Sequence, residues 1–487
     1  MEIVGWRALS LLALLASILV LYIKTPSKQM EINSDCSLLP YDHYWISSKR
    51  IVTPQGVITG AVEVKGGIIV SVVQGDDLQG SFSRAHVVDY GDAVIMPGLI
   101  DVHAHLDEPG RVEWEGFYSG TKAAAAGGIT TLIDMPLNSF PSTVSEETLR
   151  LKVEATEKKI YVDVGFWGGL VPENAFNTSA LQGLLNAGAL GLKSFMCPSG
   201  INDFPMTNST HIKEGLYVLA KYNRPLLIHA EIVLDSEMKV EMNDGGSDAR
   251  SYATYLKTRP PSWEEAAIRE LQEAMQDTKF GGRAEGAHVH IVHLSDAKAS
   301  LHLIKDAKSS GASVTVETCP HYLAFAAEEI ADGDTRFKCA PPIRDAVNRQ
   351  KLWEALMEQH IDMLSSDHSP SVPDLKLFDE GDFLKAWGGI SSLQLATWWS
   401  ERPAKLSGQI HKGAIVRGNH ADLVVWEPEV EFELDENHKT YHKHPTISPY
   451  MGMRLSGKVL ATFVRGNIVY GRGKHAPEAC GVPILAK

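Results

Sequence analysis

Met96-Pro-Gly-Leu-Ile-Asp-Val-His-Ala-His105 begins as an apolar run and ends in two imidazoles spaced i and i+2. Side chains of a strand alternate faces, so His103 and His105 share one side and can reach a common point above the strand's carboxyl end. Neutral imidazole is the commonest metal-holding side chain, which makes that point a candidate metal position. A half-buried strand with two hydrogen-bonded histidines is the alternative, and the rest of the chain has to choose.

Outward from this run the sequence alternates regularly. Short apolar stretches recur at residues 98–103, 129–134, 161–166, 190–195, 225–229, 288–293, 313–318 and 361–366. Helix-compatible segments separate most of them, including residues 115–126, 145–159, 263–276 and 296–309. Eight strands alternating with helices predict an α/β fold, a (β/α)8 TIM-like barrel over residues 98–408. An open doubly wound sheet is the other topology with this alternation, but no Gly-x-Gly-x-x-Gly turn follows a strand. Gly-punctuated β-branched runs before and after the barrel predict a small β-sandwich domain built from both chain ends, residues 45–97 and 409–487.

A net charge of −14 with no Lys/Arg block argues against nucleic acid or an anionic membrane surface as partner, so the ligand is expected to be a small molecule. Ala8 to Ile23 is an unbroken apolar run between Arg7 and Lys24, so residues 1–30 read as an N-terminal hydrophobic leader, a signal peptide or a signal anchor. The expected location is the endoplasmic reticulum or secretory pathway, with membrane attachment if the leader is an anchor. Asn177-Thr-Ser179 and Asn208-Ser-Thr210 are glycosylation triplets that agree with that route. The five cysteines, Cys36, Cys197, Cys319, Cys339 and Cys480, form no Cys-x-x-Cys pair, which disfavours a thiol metal site. Cys36 and Cys480 lie outside the barrel, and the sequence leaves their pairing open.

In a barrel the chemistry gathers at the strands' carboxyl ends. There the chain places Lys193 on strand four, His229 and Glu231 after strand five, His293 after strand six and Asp367 after strand eight. If the interior is packed with branched apolar residues, Val289, Ile291 and His293 point inward and His288 and His290 face the helices. Lys193 on an apolar strand needs a reason, because an unpaired buried ammonium is costly. It could be a Schiff-base nucleophile, an ion-pair partner, or a carbamate formed when its neutral amine adds carbon dioxide. With four histidines and an aspartate nearby, a carbamate bridging two cations is the economical reading.

The runs DVHAHLDEPG, LLIHAE, HIVHLS, VETCPHYL (317–323 with the preceding Val316), KCAPPIR (338–344) and SSDHSP, with the Lys193 strand, resemble the cyclic amidohydrolases. That family includes dihydroorotases, hydantoinases or dihydropyrimidinases, and allantoinases. GRVEWEGF (110–117), DMPLNS (134–139) and FMCPSGINDFP (195–205) are most similar to the plant-type allantoinase branch. The resemblance implies two divalent metal ions, zinc first with manganese or cobalt as alternatives. His103 and His105 would hold the more buried ion, His229 and His293 the more exposed one, and carbamylated Lys193 (N6-carboxylysine) would bridge them. Asp367 would ligate the buried ion and shuttle protons. The implied reaction opens the hydantoin ring of allantoin, a cyclic ureide, to allantoate, and the implied assembly is a homo-oligomer, a tetramer. Asn138, Cys319 and Pro341 are the substrate contacts the family pattern suggests. Dihydroorotases carry an arginine where this chain has Asp107, which is expected to repel a carboxylate-bearing ring.

One stretch departs from the family. Gly-Ile-Ser-Ser-Leu-Gln394 abuts Ala-Thr-Trp-Trp-Ser-Glu-Arg-Pro403 with only Leu395 between, where the family has a further helix and loop of about 10 to 20 residues. All the ligand positions precede this join. A harmless shortening and an inactive truncated variant are both open at this point, and so are a hydantoinase-type activity and a non-catalytic scaffold.

Overall fold

The computed structural model describes residues 34–75, 86–234, 248–395 and 400–487; the leader lies outside them. Eight strands form a barrel: Leu99–Ala104, Ile129–Asp134, Asp163–Phe166 continued by Gly168–Gly169, Leu192–Phe195, Pro225–His229, His288–Ile291, Val314–Thr318 and Met363–Leu364. These are strands one to eight below. Neighbours pair in parallel all the way round. The ring closes where Ala104 bridges His368, just beyond strand eight, and the His105 amide donates to the His368 carbonyl at 2.7 Å.

Helices follow strands one to seven at Phe117–Ala126, Glu146–Ala155, Thr178–Asn186, Ser209–Leu219, Pro261–Asp277, Leu301–Ser309 and Ala346–Met357. Local sequence explains their limits. Ser145 accepts from the Thr148 amide at 3.2 Å and Glu146 and Glu147 occupy the first turn, a favourable arrangement at a helix N-terminus. Asn177 and Asn208, the first residues of the two glycosylation triplets, are exposed N-caps of their helices. Pro261 opens the fifth helix, and Trp263, Ala267, Ile268, Leu271, Ala274 and Met275 recur at helical spacing on its buried face.

Two cores flank the strands. Leu192, Leu226, Ile228, Val289, Ile291, Val314 and Val316 pack outward on helix residues such as Leu216, Leu271 and Ile304. Ile133, Trp167, Leu227, Val292 and Met363 fill the middle of the barrel. Strand six therefore has the opposite parity to the one expected. Val289 and Ile291 face the helices, and His290 points inward, to Glu317 of strand seven. The expectation failed because this interior is not uniformly apolar. His293 nevertheless reaches the interior, since the strand ends at Ile291 and His293 adopts a left-handed backbone (φ 37°), which breaks the alternation.

The small domain is one continuous nine-stranded sheet contributed by both ends of the chain, curled on its own core of Ile46, Val62, Ile95, Leu423, Val425 and Phe463. The sequence pointed to a sandwich; the strand path is unbroken because Val94–Pro97 pairs with both His43–Thr53 and Leu423–Glu433. Lys412 welds the domain to the barrel, its Nζ 2.8 Å from Asp163 of strand three and 2.5 Å from Asp422. Arg465 adds a 2.6 Å bond to Asp163. Beyond a Cys36–Cys480 disulfide the tail re-enters the barrel, where Pro483–Ile484 pairs in parallel with Val164 and Gly165 of strand three. Strand three pairs with the tail through its first half and with strand four only through Gly168 and Gly169.

After strand eight the pattern breaks. Residues 391–395 run on without a helix, and the next described helix, Glu401–Leu406, has six residues. At the join, a cleft of about 80 Å³ opens between barrel and sheet, lined by Leu99, Gly127, Gln394, Leu395, Val424 and Trp426.

Candidate metal centre

Every residue that the sequence nominated as a ligand converges on one point at the carboxyl ends of the strands. His103 and His105 leave strand one with ring centroids 5.6 Å apart; His293 lies 5.4 Å from His103 and 4.5 Å from His229. Asp367 Oδ1 is 3.1 Å from His103 Nε2 and 3.6 Å from His105 Nε2. Ligand atoms of His103, His293 and Asp367 lie within 4.8 Å of one another. Lys193 comes up beneath them, wholly buried, its Nζ 4.8 Å from the centre of the Phe195 ring and without a hydrogen-bond partner.

That donor set fits divalent cations. The buried Lys193 amine and the Nδ1 atoms of His105 and His293 have no protein partner, and such atoms are costly unless something outside the chain satisfies them. Burial pushes the Lys193 ammonium down to about 7, against the pull of Glu317 and Asp367, so a neutral amine is accessible. Burial also lowers His229, to about 4, and lowers His293 well below the usual imidazole range, which leaves both rings neutral and able to donate lone pairs. His103 behaves oppositely. Burial would lower it, but the carboxylates of Asp367 and Glu317 on its two sides raise it to about 9. Burial would raise Asp367, yet the charge and hydrogen bonds of His103, the bond to His105 and the charge of His293 hold it well below the usual carboxylate range.

Carboxylates brace the ring edges turned away from the centre. His103 Nδ1 lies 2.6 Å from Glu317 Oε1, and His229 Nε2 lies 2.6 Å from Glu231 Oε2, which Arg259 also grips. Such partners fix tautomer and ring direction in metal sites. Glu317 and Glu231 both stand in the sequence motifs, but only geometry shows what they hold. His368 is similarly fixed, with Nε2 3.1 Å from the buried Glu115 and Nδ1 accepting from the Ser392 amide at 3.1 Å.

The centre opens into a cavity of about 400 Å³ walled by Asn138, Phe195, Arg259, Lys338, Cys339 and Trp387, among others. Of the expected substrate contacts, Asn138 faces this cavity. Cys319 is fully buried beside Ser365, and the Pro341 carbonyl accepts from the Tyr322 hydroxyl at 2.7 Å; neither residue lines the wall. Cys339 and Ala340, immediately before Pro341, do. Asp107 is also off the wall. It is buried with φ 62°, and burial together with Asp134 and Glu115 raises its carboxyl well above the usual range. It therefore does not face a ligand in the way the sequence suggested, and no arginine stands in its place. The one guanidinium in the wall, Arg259, is paired with Glu231.

Comparison with known proteins agrees with this geometry. The allantoinase composite domain matches residues 39–93 and the amidohydrolase family matches residues 94–469. Allantoinase from Arabidopsis thaliana is 67% identical across 99% of this chain and 98% of its own length. Probable allantoinase from Oryza sativa is 65% identical with the same coverage, and allantoinase from Saccharomyces cerevisiae is 40% identical over 86% of this chain. Among solved structures, L-hydantoinase from Arthrobacter aurescens superposes with a TM-score of 0.82 at 26% identity, covering 91% of this chain and all of that one. The Arabidopsis alignment spans 502 positions, more than the 487 residues of this chain, so it carries gaps against this chain.

Proposed function

The chain belongs to the amidohydrolase family, in its allantoinase branch, and from that membership we propose that it opens the cyclic amide of allantoin by hydrolysis to give allantoate. The observation that carries the reading is the convergence of His103, His105, Lys193, His229, His293 and Asp367 on one buried point under an open cavity, with the Lys193 amine unpartnered. His103, His105 and Asp367 would hold one divalent cation and His229 and His293 a second, with Lys193 carbamylated between them; zinc is favoured, manganese and cobalt also suit an imidazole and carboxylate set. When bound, such a pair lowers the pKa of water and polarises a carbonyl.

The chain's own groups do the rest. The cavity orients the ureide ring, with the Asn138 side chain at its wall. Asp367, ionised and facing the cavity, takes the proton of the attacking water at a carboxylate oxygen. As the water oxygen bonds to the ring carbonyl carbon, the carbon–nitrogen bond breaks and Asp367 returns the proton to the departing nitrogen. No covalent acyl-enzyme is required.

The leader, together with a disulfide at Cys36–Cys480, supports residence in the endoplasmic reticulum, since such bonds persist in oxidising compartments. Among the described residues no helix is long and apolar enough to cross a membrane, and the anchoring read from the sequence would rest on residues 1–30. Purified protein supplied with zinc, manganese or cobalt and bicarbonate should release allantoate from allantoin faster than it opens hydantoin or dihydrouracil. Preference for either of those rings would move the assignment to the hydantoinases, and no turnover with cations bound would remove it.

A further inference from the structure

Strands six and seven carry polar side chains into the barrel at matching heights. Ser313, Thr315 and Glu317 alternate along one strand, His288 and His290 along the other, and His290 stands opposite Thr315 in the register. They join into one hydrogen-bonded ladder. From the bottom, Ser313 Oγ is 2.8 Å from His288 Nδ1, and His288 Nε2 is 2.6 Å from Thr315 Oγ1. Thr315 Oγ1 is 2.8 Å from His290 Nδ1, His290 Nε2 is 3.1 Å from Glu317 Oε2, and Glu317 Oε1 meets His103 Nδ1 at 2.6 Å.

Donor counting sets the direction of every bond. An ionised carboxylate only accepts, so His103 Nδ1 and His290 Nε2 both donate to Glu317. With Nε2–H given to Glu317, a His290 ring that carries one proton accepts at Nδ1, where the Thr315 hydroxyl spends its single proton. Thr315 in turn accepts from His288 Nε2, which leaves His288 Nδ1 to accept from Ser313. Burial pushes His288 down to about 3, in keeping with a neutral ring at this position. Every link has one workable orientation. A threonine hydroxyl near the barrel floor thereby helps decide how an imidazole at the top is presented.

We propose that Thr315 and His290 are positioning residues which, through Glu317, hold His103 in the tautomer that turns Nε2 toward the metal centre. The proposal rests on the two-cation reading of that centre. A column that merely satisfies buried polar groups would contribute to stability without affecting the centre.

Thr315→Val keeps the volume and removes the hydroxyl. His290 loses the donor to its Nδ1, which leaves a buried acceptor unsatisfied and the ring less firmly held in its bond to Glu317. Cation affinity, measured by chelator competition, should weaken about tenfold, at the low end of the range for indirect supports of metal ligands. The absorption spectrum of the cobalt-loaded protein should change, and Thr315→Ser should restore both readouts. His290→Gln, which can still donate to Glu317 and accept from Thr315, should stay near wild-type affinity, whereas His290→Leu should lose more than Thr315→Val. Wild-type affinity and cobalt spectrum in folded Thr315→Val would overturn the proposal, as would equal affinities for His290→Gln and His290→Leu. A wild-type protein that binds no cation would instead defeat the functional reading, so the two failures are distinct.

Discussion

Lys193 shows how a single residue can be legible in sequence while its neighbours are not. An ammonium on an apolar strand is conspicuous by its cost, and so are histidines and an aspartate at strand ends. Lys193→Ala should reduce bound cation to below one per chain by elemental analysis and abolish allantoate release; full turnover would rule out the bridging role. Asp367→Asn should lower kcat by about 10²–10⁴-fold, the usual worth of a positioned proton carrier, and an unchanged kcat would exclude it. Glu317 was harder to read, because its partner His103 is 214 residues away and nothing local marks that pairing. Strand-six parity was misread for a related reason. A rule that barrels are apolar inside assigns Val289 and Ile291 inward, and only the facing Thr315 and Glu317 reveal that polar residues occupy that space.

At the level of elements, the alternation of strands and helices was plain because each strand is short, apolar and followed by an amphipathic segment. The second and fifth helices also announce their starts, with Ser145 as cap and Pro261 at the first position. What the sequence could not show is how the join after Gln394 is accommodated. Ser391 and Ser392 bond to Ser448 and to Ser366 and His368, so the frame behind Asp367 is tied down up to this join. Gln394 itself is stitched to the Lys439 carbonyl at 3.0 Å and the Tyr441 amide at 2.9 Å. Leu99 and Val424, which line the cleft at this join, are 6% and 2% exposed, and Trp426 beside them is half-buried. Inserting an amphipathic helix of about 15 residues, well above the four needed for one turn, between Leu395 and Ser400 should raise the thermal midpoint by about 1 °C per kcal/mol gained, given a chain of this length. Cation affinity should be unchanged. An unaltered or lower midpoint would show that the shortened chain already closes this face.

For the whole molecule, the barrel and the small domain are fastened by charge as well as by apolar contact. Lys412 is buried between Asp163 and Asp422. Lys412→Met would leave the buried Asp422 carboxylate without its cation and Asp163 with Arg465 alone, and should cost about 3–5 kcal/mol, read as a lower denaturation midpoint; a midpoint within error of wild type would mean the weld is incidental. Burial lowers the Lys412 ammonium, but the two aspartates more than offset it, and the folded value lies above the ordinary one. Its contribution is therefore complete below the ordinary lysine range and lost as pH rises through the raised value, so wild-type stability should hold through neutral pH and decline in strong alkali. The tail carries a different consequence. Ile484 and its neighbour Pro483 fill a place beside strand three that strand four leaves open, and they follow all eight barrel strands in the chain. A chain emerging amino end first cannot complete this wall until its carboxyl end is free. Closure of this wall therefore waits for residues 483–484 to dock beside Val164 and Gly165, next to a disulfide that ties Cys480 back to Cys36 at the other end of the described chain.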